Sequence, residues 1–320
     1  MPIPADRPGR VLLVFLDGVG LGPDKPEVNP FAAAPMPYLR RLLGGRAMVA
    51  DALDADGRLV SARATLRAAD AVIGVEGLPQ SGTGQTTLLT GRNAAAVYGR
   101  HFGPWVPTDL RAMLAAENIL VRAKQSGRRV AFANAYPVSG EVADPRIFRR
   151  PAAPPLVAHA AGVLTRGLPE LLTGDAVASS ITHERWRERV GSLLPDITPA
   201  QAADRLASIA GSADLTLFAH YDTDYIGHRG GMDGALAALA KVDAFLGRLA
   251  DSLPEDALLV VSSDHGNLED VTAEHTRNPV PVLAVGPGSG YMVERVRDLA
   301  GVAPAILELL DTEPKEESTP

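Results

Sequence analysis

The chain has 320 residues, enough to bury a large core as one domain or two. Its formal charge of −7 works against a sequence-independent nucleic-acid surface or an anionic-membrane surface, because phosphates are repelled overall. Cysteine is absent, so disulfides and thiolate metal sites are excluded, and any metal must take oxygen and nitrogen donors.

No run approaches the ~20 apolar residues of a membrane span. The opening MPIPADRPGR lacks the apolar segment of a secretory signal, so a cytoplasmic protein is expected. Arg10 to Leu16 is a continuous apolar run that reads as a buried parallel strand ending at Asp17-Gly18. After a Gly/Pro-rich loop, Met36 to Leu43 reads as a short helix, and residues 47–75 as several short strands. Gly77 to Gly99 reads as a loop turning into a helix near Ser81. Residues 108–126 are helical in pattern, and RRVAFANAY, Arg128 to Tyr136, is a strand candidate.

From Asp144 to about Pro199 prolines punctuate helical pieces. Residues 100–205 are therefore expected to form a smaller inserted cap lobe, with 1–99 and 206–320 as the discontinuous core. Core alternation resumes with a strand at Asp214–His220, a helix at Gly231–Leu253, strands at Ala257–Ser262 and Val280–Val285, and a helix at Arg297–Leu310. The tail from Asp311 to Pro320 is polar and expected to be disordered.

Three of these strand ends carry metal-ligand chemistry. Asp17 follows the first strand, Asp224 and His228 stand four apart in HYDTDYIGH, and Asp264-His265 follows LLVVSS, with His275 across a short polar loop. Each alone has an ordinary reading: a turn aspartate, a surface ion pair, a loop histidine. Together, three aspartates and three histidines at the carboxyl ends of strands in one α/β sheet converge on one rim. That donor set suits zinc or manganese, singly or as a pair about 4 Å apart. His101, His159, His183 and His220 lack such a context and read as structural or exposed.

PQSGTGQTTLLTG approaches a phosphate-binding loop and fails at two positions. Pro79 replaces the first glycine, and Gln85 stands where the lysine must reach the phosphates. Gly82 and Gly84 are expected to let the backbone approach a phosphate at a helix start. A hydroxyl there is a candidate nucleophile: Ser81 first, Thr83 second. The plain alternative makes Ser81 a helix N-cap.

FLDGVG, PQSGTGQTTLLTGR, DYIGHRGG, SSDHGN and EHTRNPVP, in that order, resemble the metal-site motifs of the alkaline phosphatase superfamily. The nearest branch is that of cofactor-independent phosphoglycerate mutase and phosphopentomutase. The resemblance covers about 10–99 and 210–310. It implies an α/β fold, a three-layer sandwich around a mostly parallel sheet, with the smaller inserted cap lobe. It also implies one metal held by Asp224, His228 and His275, and another by Asp17, Asp264, His265 and the Ser81 oxygen. Two departures stand out: the mutase motif has histidine where this chain has Gln85, and the insertion is far shorter than the substrate lobe of those mutases.

The expected function is metal-dependent phosphoryl transfer from a small phosphorylated substrate, using two divalent ions, Mn²⁺ or Zn²⁺, and a phosphoserine at Ser81. The short insertion favours a phosphatase or phosphoesterase, with a phosphomutase as the alternative, because a mutase must shut out water. A noncatalytic metal-stabilised module is the alternative from another class. Arg229 and Arg92 are the weak candidates for substrate phosphate. Arg146, Arg149 and Arg150 read as an exposed charge cluster. Substrate identity and oligomeric state are not legible.

Overall fold

The computed structural model describes residues 6–139 and 142–310. The polar tail from Asp311 lies outside these described residues. Among the described residues nine strands occur: β1 Arg10–Leu16, β2 Arg58–Val60, β3 Thr65–Ala69, β4 Val130–Phe132, β5 Val138–Ser139, β6 Val142–Ala143, β7 Leu215–His220, β8 Ala257–Ser262 and β9 Val280–Val285. Seven form one sheet in the order β2-β3-β9-β8-β1-β7-β4, and β5 with β6 makes a small hairpin.

β1 pairs in parallel with β7 and β8, and β4 pairs in parallel with β7, whereas the β8-β9, β9-β3 and β3-β2 pairs are antiparallel. Five strands therefore run one way and two oppose them, so the sheet is mixed with a parallel centre.

Side chains alternate across a strand, and here each face meets its own helical layer. From β1, Val11, Leu13 and Phe15 enter one core, while Leu12, Val14 and Leu16 enter the other. β7 and β8 divide in the same manner, with Leu215, Leu217, Leu258 and Val260 on the first side and Phe218, Leu259 and Val261 on the second. The first layer includes the helices at 81–90, 108–117, 119–125, 153–160 and 302–310. The second includes those at 37–42, 199–211 and 231–252. This double burial is why the strands read as unbroken apolar runs. Among the described residues no helix is long and apolar enough to cross a membrane.

The expected lobe over 100–205 divides in the structure. β4 belongs to the main sheet, the helices at 108–117, 119–125 and 153–160 fill the first layer, and 199–211 packs on 231–252. What stands apart is a small cluster of Ala135, Leu171, Ala176, Ala178 and Leu194, with Leu168, Trp186 and Val190 packed on it. The prolines that suggest a change of character sit instead at helix starts, at 153–160, 168–173 and 199–211. There the missing N–H has no intrahelical partner to lose. The 108–126 pattern breaks at Asn118, whose side chain accepts from Val121 N and caps the second helix.

Candidate active site

The centre of the sheet sets the geometry. β1 lies between β8 and β7, with Leu16 opposite His220 and Phe15 opposite Ser262. Asp17 therefore leaves its strand beside the segments that carry Asp224 and Asp264. β9 runs opposite to β8, so the loop before it, with His275, returns to the same rim. Asp224 and His228 lie one turn apart on the short helix Asp222–Arg229.

The six predicted donors come together in two groups. Asp17, Asp264 and His265 offer ligand atoms within 4.8 Å of one another, as do Asp224, His228 and His275. His265 Nε2 lies 3.4 Å from Asp17 Oδ1, 3.7 Å from Asp264 Oδ2 and 3.8 Å from Asp224 Oδ1, so the groups adjoin. His275 Nε2 lies 3.8 Å from Asp224 Oδ1 and 3.3 Å from His228 Nε2.

Ser81 opens the helix Ser81–Thr90, whose N-cap is Gln80. Its hydroxyl caps nothing. Ser81 Oγ lies 3.0 Å from His265 Nε2, buried between the helix start and the first donor group. Thr83 is engaged elsewhere, since its hydroxyl contacts the carbonyls of Gln80 and Phe102 and accepts from Phe102 N. The two glycines have a packing role at this helix start. A Cβ on Gly82 would stand 2.1 Å from Trp105 O, and one on Gly84 would stand 2.7 Å from Asp264 O. Their bareness lets the helix seat against Trp105 and the loop that carries Asp264.

The donors fit a divalent cation. Asp17 Oδ1 and Asp264 Oδ2 are buried and make no hydrogen bond. Orphaned carboxylate oxygens in a dry site are costly without a cation. Burial, and then the charge of Asp264, hold the Asp17 carboxyl well above the usual carboxylate range, and burial likewise raises Asp264. His265 is pulled both ways: burial pushes it down, but Asp264, Asp17 and Asp224 more than offset this and lift it to about 10. Burial, followed by the charge of His265, lowers His275 to about 4. His275 donates Nδ1–H to Pro79 O at 2.9 Å, leaving Nε2 available as a donor atom.

Neighbouring side chains fix the donors. Gln85 Nε2 donates to Asp17 Oδ2 at 3.0 Å, while Gln85 Oε1 accepts from Ala153 N at 3.0 Å. Asn267 Nδ2 donates to Asp224 Oδ1 at 2.7 Å. Glu269, fully buried, accepts from Gly20 N and Asn267 N at 2.8 Å each, from Asn278 Nδ2 at 3.0 Å, and from the Thr276 hydroxyl. Sequence reasoning missed Glu269 because a single carboxylate in a loop carries no spacing signal. Its position five after Asp264 in DHGNLED is the only hint.

A cavity of about 350 Å³ opens beside the donors, and Asp17, Asp224, His228 and Arg229 are among its walls. Arg229 stacks over Tyr225 at 4.8 Å. Arg92 lies elsewhere, paired with Glu117 at 2.8 Å on the surface. Arg146 grips Asp144, and Arg150 lies over Trp105 at 4.6 Å. The other histidines have structural partners: His101 with Val75 O, His183 with Pro195 O, His220 with Ser179 O, and His159 against Phe148.

The metalloenzyme superfamily profile matches residues 190–314. The 2,3-bisphosphoglycerate-independent phosphoglycerate mutase of Cereibacter sphaeroides is 34% identical over 137 residues, which take in 40% of this chain and 27% of that protein. The chain thus spans about a quarter of the length of the curated relatives it matches. A protein from Pyrococcus horikoshii shares the fold with a TM-score of 0.55 at 14% identity, covering 95% of this chain and 97% of that one. Alkaline phosphatase from the Antarctic bacterium TAB5 does so with 0.52 at 15% identity, covering 95% and 98%. Residues 190–314 thus match the metalloenzyme superfamily, part of the chain resembles part of a phosphoglycerate mutase, and the chain shares the fold of an alkaline phosphatase.

Proposed function

We propose that the protein is a metal-dependent phosphohydrolase of small phosphate monoesters that works through a phosphoserine at Ser81. The observation that carries this reading is the Ser81 hydroxyl, 3.0 Å from His265 Nε2 and free of any capping role at its helix start. Asp17, Asp264 and His265, with the Ser81 oxygen, would hold one divalent ion, and Asp224, His228 and His275 the other. Such ions, Mn²⁺ or Zn²⁺ by this donor set, supply Lewis-acid stabilisation of the transferring phosphoryl group and acidify the serine hydroxyl.

The remaining work belongs to the chain. Gln85 and Asn267 each hold one oxygen of a donor carboxylate by a hydrogen bond, so the ligand set is oriented in advance. The first turn of the Ser81 helix presents its positive dipole end to the anion. Ser81 Oγ forms the bond to phosphorus as the ester oxygen leaves, and the serine proton ends on the released alcohol. Water then cleaves the phosphoserine, restoring the serine and releasing inorganic phosphate. The small cluster around Leu171 and Trp186 is the substrate-selecting cap in this reading.

Hydrolysis is preferred to isomerisation because the cavity opens past exposed Tyr225, His228 and Arg229, giving water access. The test is turnover of p-nitrophenyl phosphate and a panel of sugar phosphates by metal-loaded protein, wild type and Ser81→Ala. The variant should retain bound metal and lose at least about a thousandfold in kcat. Isomerised sugar phosphate without free phosphate would replace the hydrolase by a mutase. Metal retention with no turnover by the wild type would leave a structural metal module.

A further inference from the structure

The cavity at the donor groups adjoins a second one of about 280 Å³, since Ser179, Arg185 and Tyr221 line both. The joined trough leads from Asp17 and Asp224 to Trp186 and Arg189. Its volume falls within the ~300–1,000 Å³ of pockets that enclose elongated ligands. Charge is distributed unevenly along it. The near part contains Asp222, which holds Arg185 at 2.7 Å, while the far part has Arg185 and Arg189 and no carboxylate among its walls.

The far part is also preorganised. Arg185 and Arg189 are four apart on the helix Glu184–Val190 and so share a face. Arg185 is fixed by Asp222 and lies over the Tyr225 ring at 5.0 Å. Arg189 has no hydrogen-bond or ion-pair partner among the described residues. In the same cavity wall, the hydroxyls of Tyr136 and Tyr221 bond to each other at 2.9 Å. Burial pushes Tyr136 up to about 12 and Tyr221 well above the ordinary phenol range, so this wall stays neutral. Trp186 is anchored by the Leu171 cluster and gives the trough an aromatic side.

We propose that this trough binds the body of the substrate, and that the substrate is an elongated phosphate monoester with a second anionic group, phosphate or carboxylate, received by Arg189 with Arg185. The proposal rests on the phosphohydrolase reading and names its substrate class. A guanidinium left without a partner at the end of a neutral aromatic trough is complementary to a terminal anion. A short ester would leave that end unfilled.

Three matched esters test it: hexyl phosphate, 6-phosphooxyhexanoate and hexane-1,6-diol bisphosphate, with p-nitrophenyl phosphate alongside. Metal-loaded wild type should favour at least one doubly anionic ester over hexyl phosphate by roughly tenfold in kcat/KM, the size of one charge-assisted contact. The better of the two identifies the terminal group. Arg189→Ala should cut that preference to roughly threefold or less, mostly through KM, and Arg189→Lys should restore part of it. Equal turnover of the three esters alongside active cleavage of p-nitrophenyl phosphate overturns the proposal and leaves the hydrolase reading standing. A preference that survives Arg189→Ala also overturns it. No turnover of any ester, p-nitrophenyl phosphate included, removes the hydrolase reading and the proposal with it.

Discussion

Gln85 replaces the histidine of the mutase motif, and the structure gives its amide two tasks in opposite directions. It donates to Asp17 Oδ2 and accepts from Ala153 N, both at 3.0 Å, with its side chain buried. Gln85→Leu keeps much of the volume and removes both bonds. The contact to a carboxylate contributes about 1.5–3 kcal/mol and the amide contact about 0.5–1.5 kcal/mol, so the loss is about 2–4 kcal/mol. At the entropy per residue typical of globular proteins this lowers the melting temperature of the chain by about 3–6 °C. Removing an outer hydrogen bond from a ligand carboxylate also weakens metal binding about 10–100-fold. Gln85→Glu should be worse still, since it sets a second carboxylate against Asp17. The assay pairs thermal melts in chelator with calorimetric titration of Mn²⁺ or Zn²⁺. A Gln85→Leu protein that melts within a degree of wild type and binds metal as tightly would refute the role assigned to this amide.

Glu269→Gln should destabilise the rim loops, because the carboxylate accepts from two backbone amides and two side chains and the amide cannot accept from all four. A loss of about 2–4 kcal/mol is expected by denaturant unfolding, with weaker metal binding, and an unchanged midpoint would contradict it. Burial lowers the His183 imidazole, so the folded state prefers it neutral. Its contribution to stability is complete above about pH 6.5, the ordinary imidazole value, and declines as pH falls from there through the lower folded value. Melts between pH 7.5 and 5.5 in chelator should therefore decline less steeply for His183→Gln than for wild type. Parallel curves would show that His183 does not titrate with folding.

Asp17 and Asp264-His265 stood out because each follows an apolar run, and a run buried on both faces can end in polar chemistry only at the sheet rim; Asp224, His228 and His275 stood out only through the ordered set of motifs. Ser81 was legible by its place before a glycine-bearing helix. The packing role of Gly82 and Gly84 was not legible, because sequence shows that a Cβ is missing and not what fills the space: Trp105 O and the Asp264 carbonyl do. The extent of the cap was misread for a related reason. Prolines at the first turns of 153–160, 168–173 and 199–211 look like breaks, yet each is compatible with helix initiation. β4 has only three paired residues, so nothing local in RRVAFANAY announces that it closes the main sheet beside β7. Arg185 and Arg189 carried no signal either, because their meaning comes from lining one cavity with Tyr136 and Tyr221.

The placement of β1 between β7 and β8 ties together stretches of polypeptide more than two hundred positions apart. The first donor group is split along the chain, with Asp17 and Ser81 from the first third and Asp264 and His265 from the last, whereas Asp224, His228 and His275 all come from the last third. Capture of a cation by the first group would then await closure of the long-range strand pairing, and an ion held there only in the finished form would stabilise it. Occupancy by metal would accordingly report on the integrity of the entire sheet.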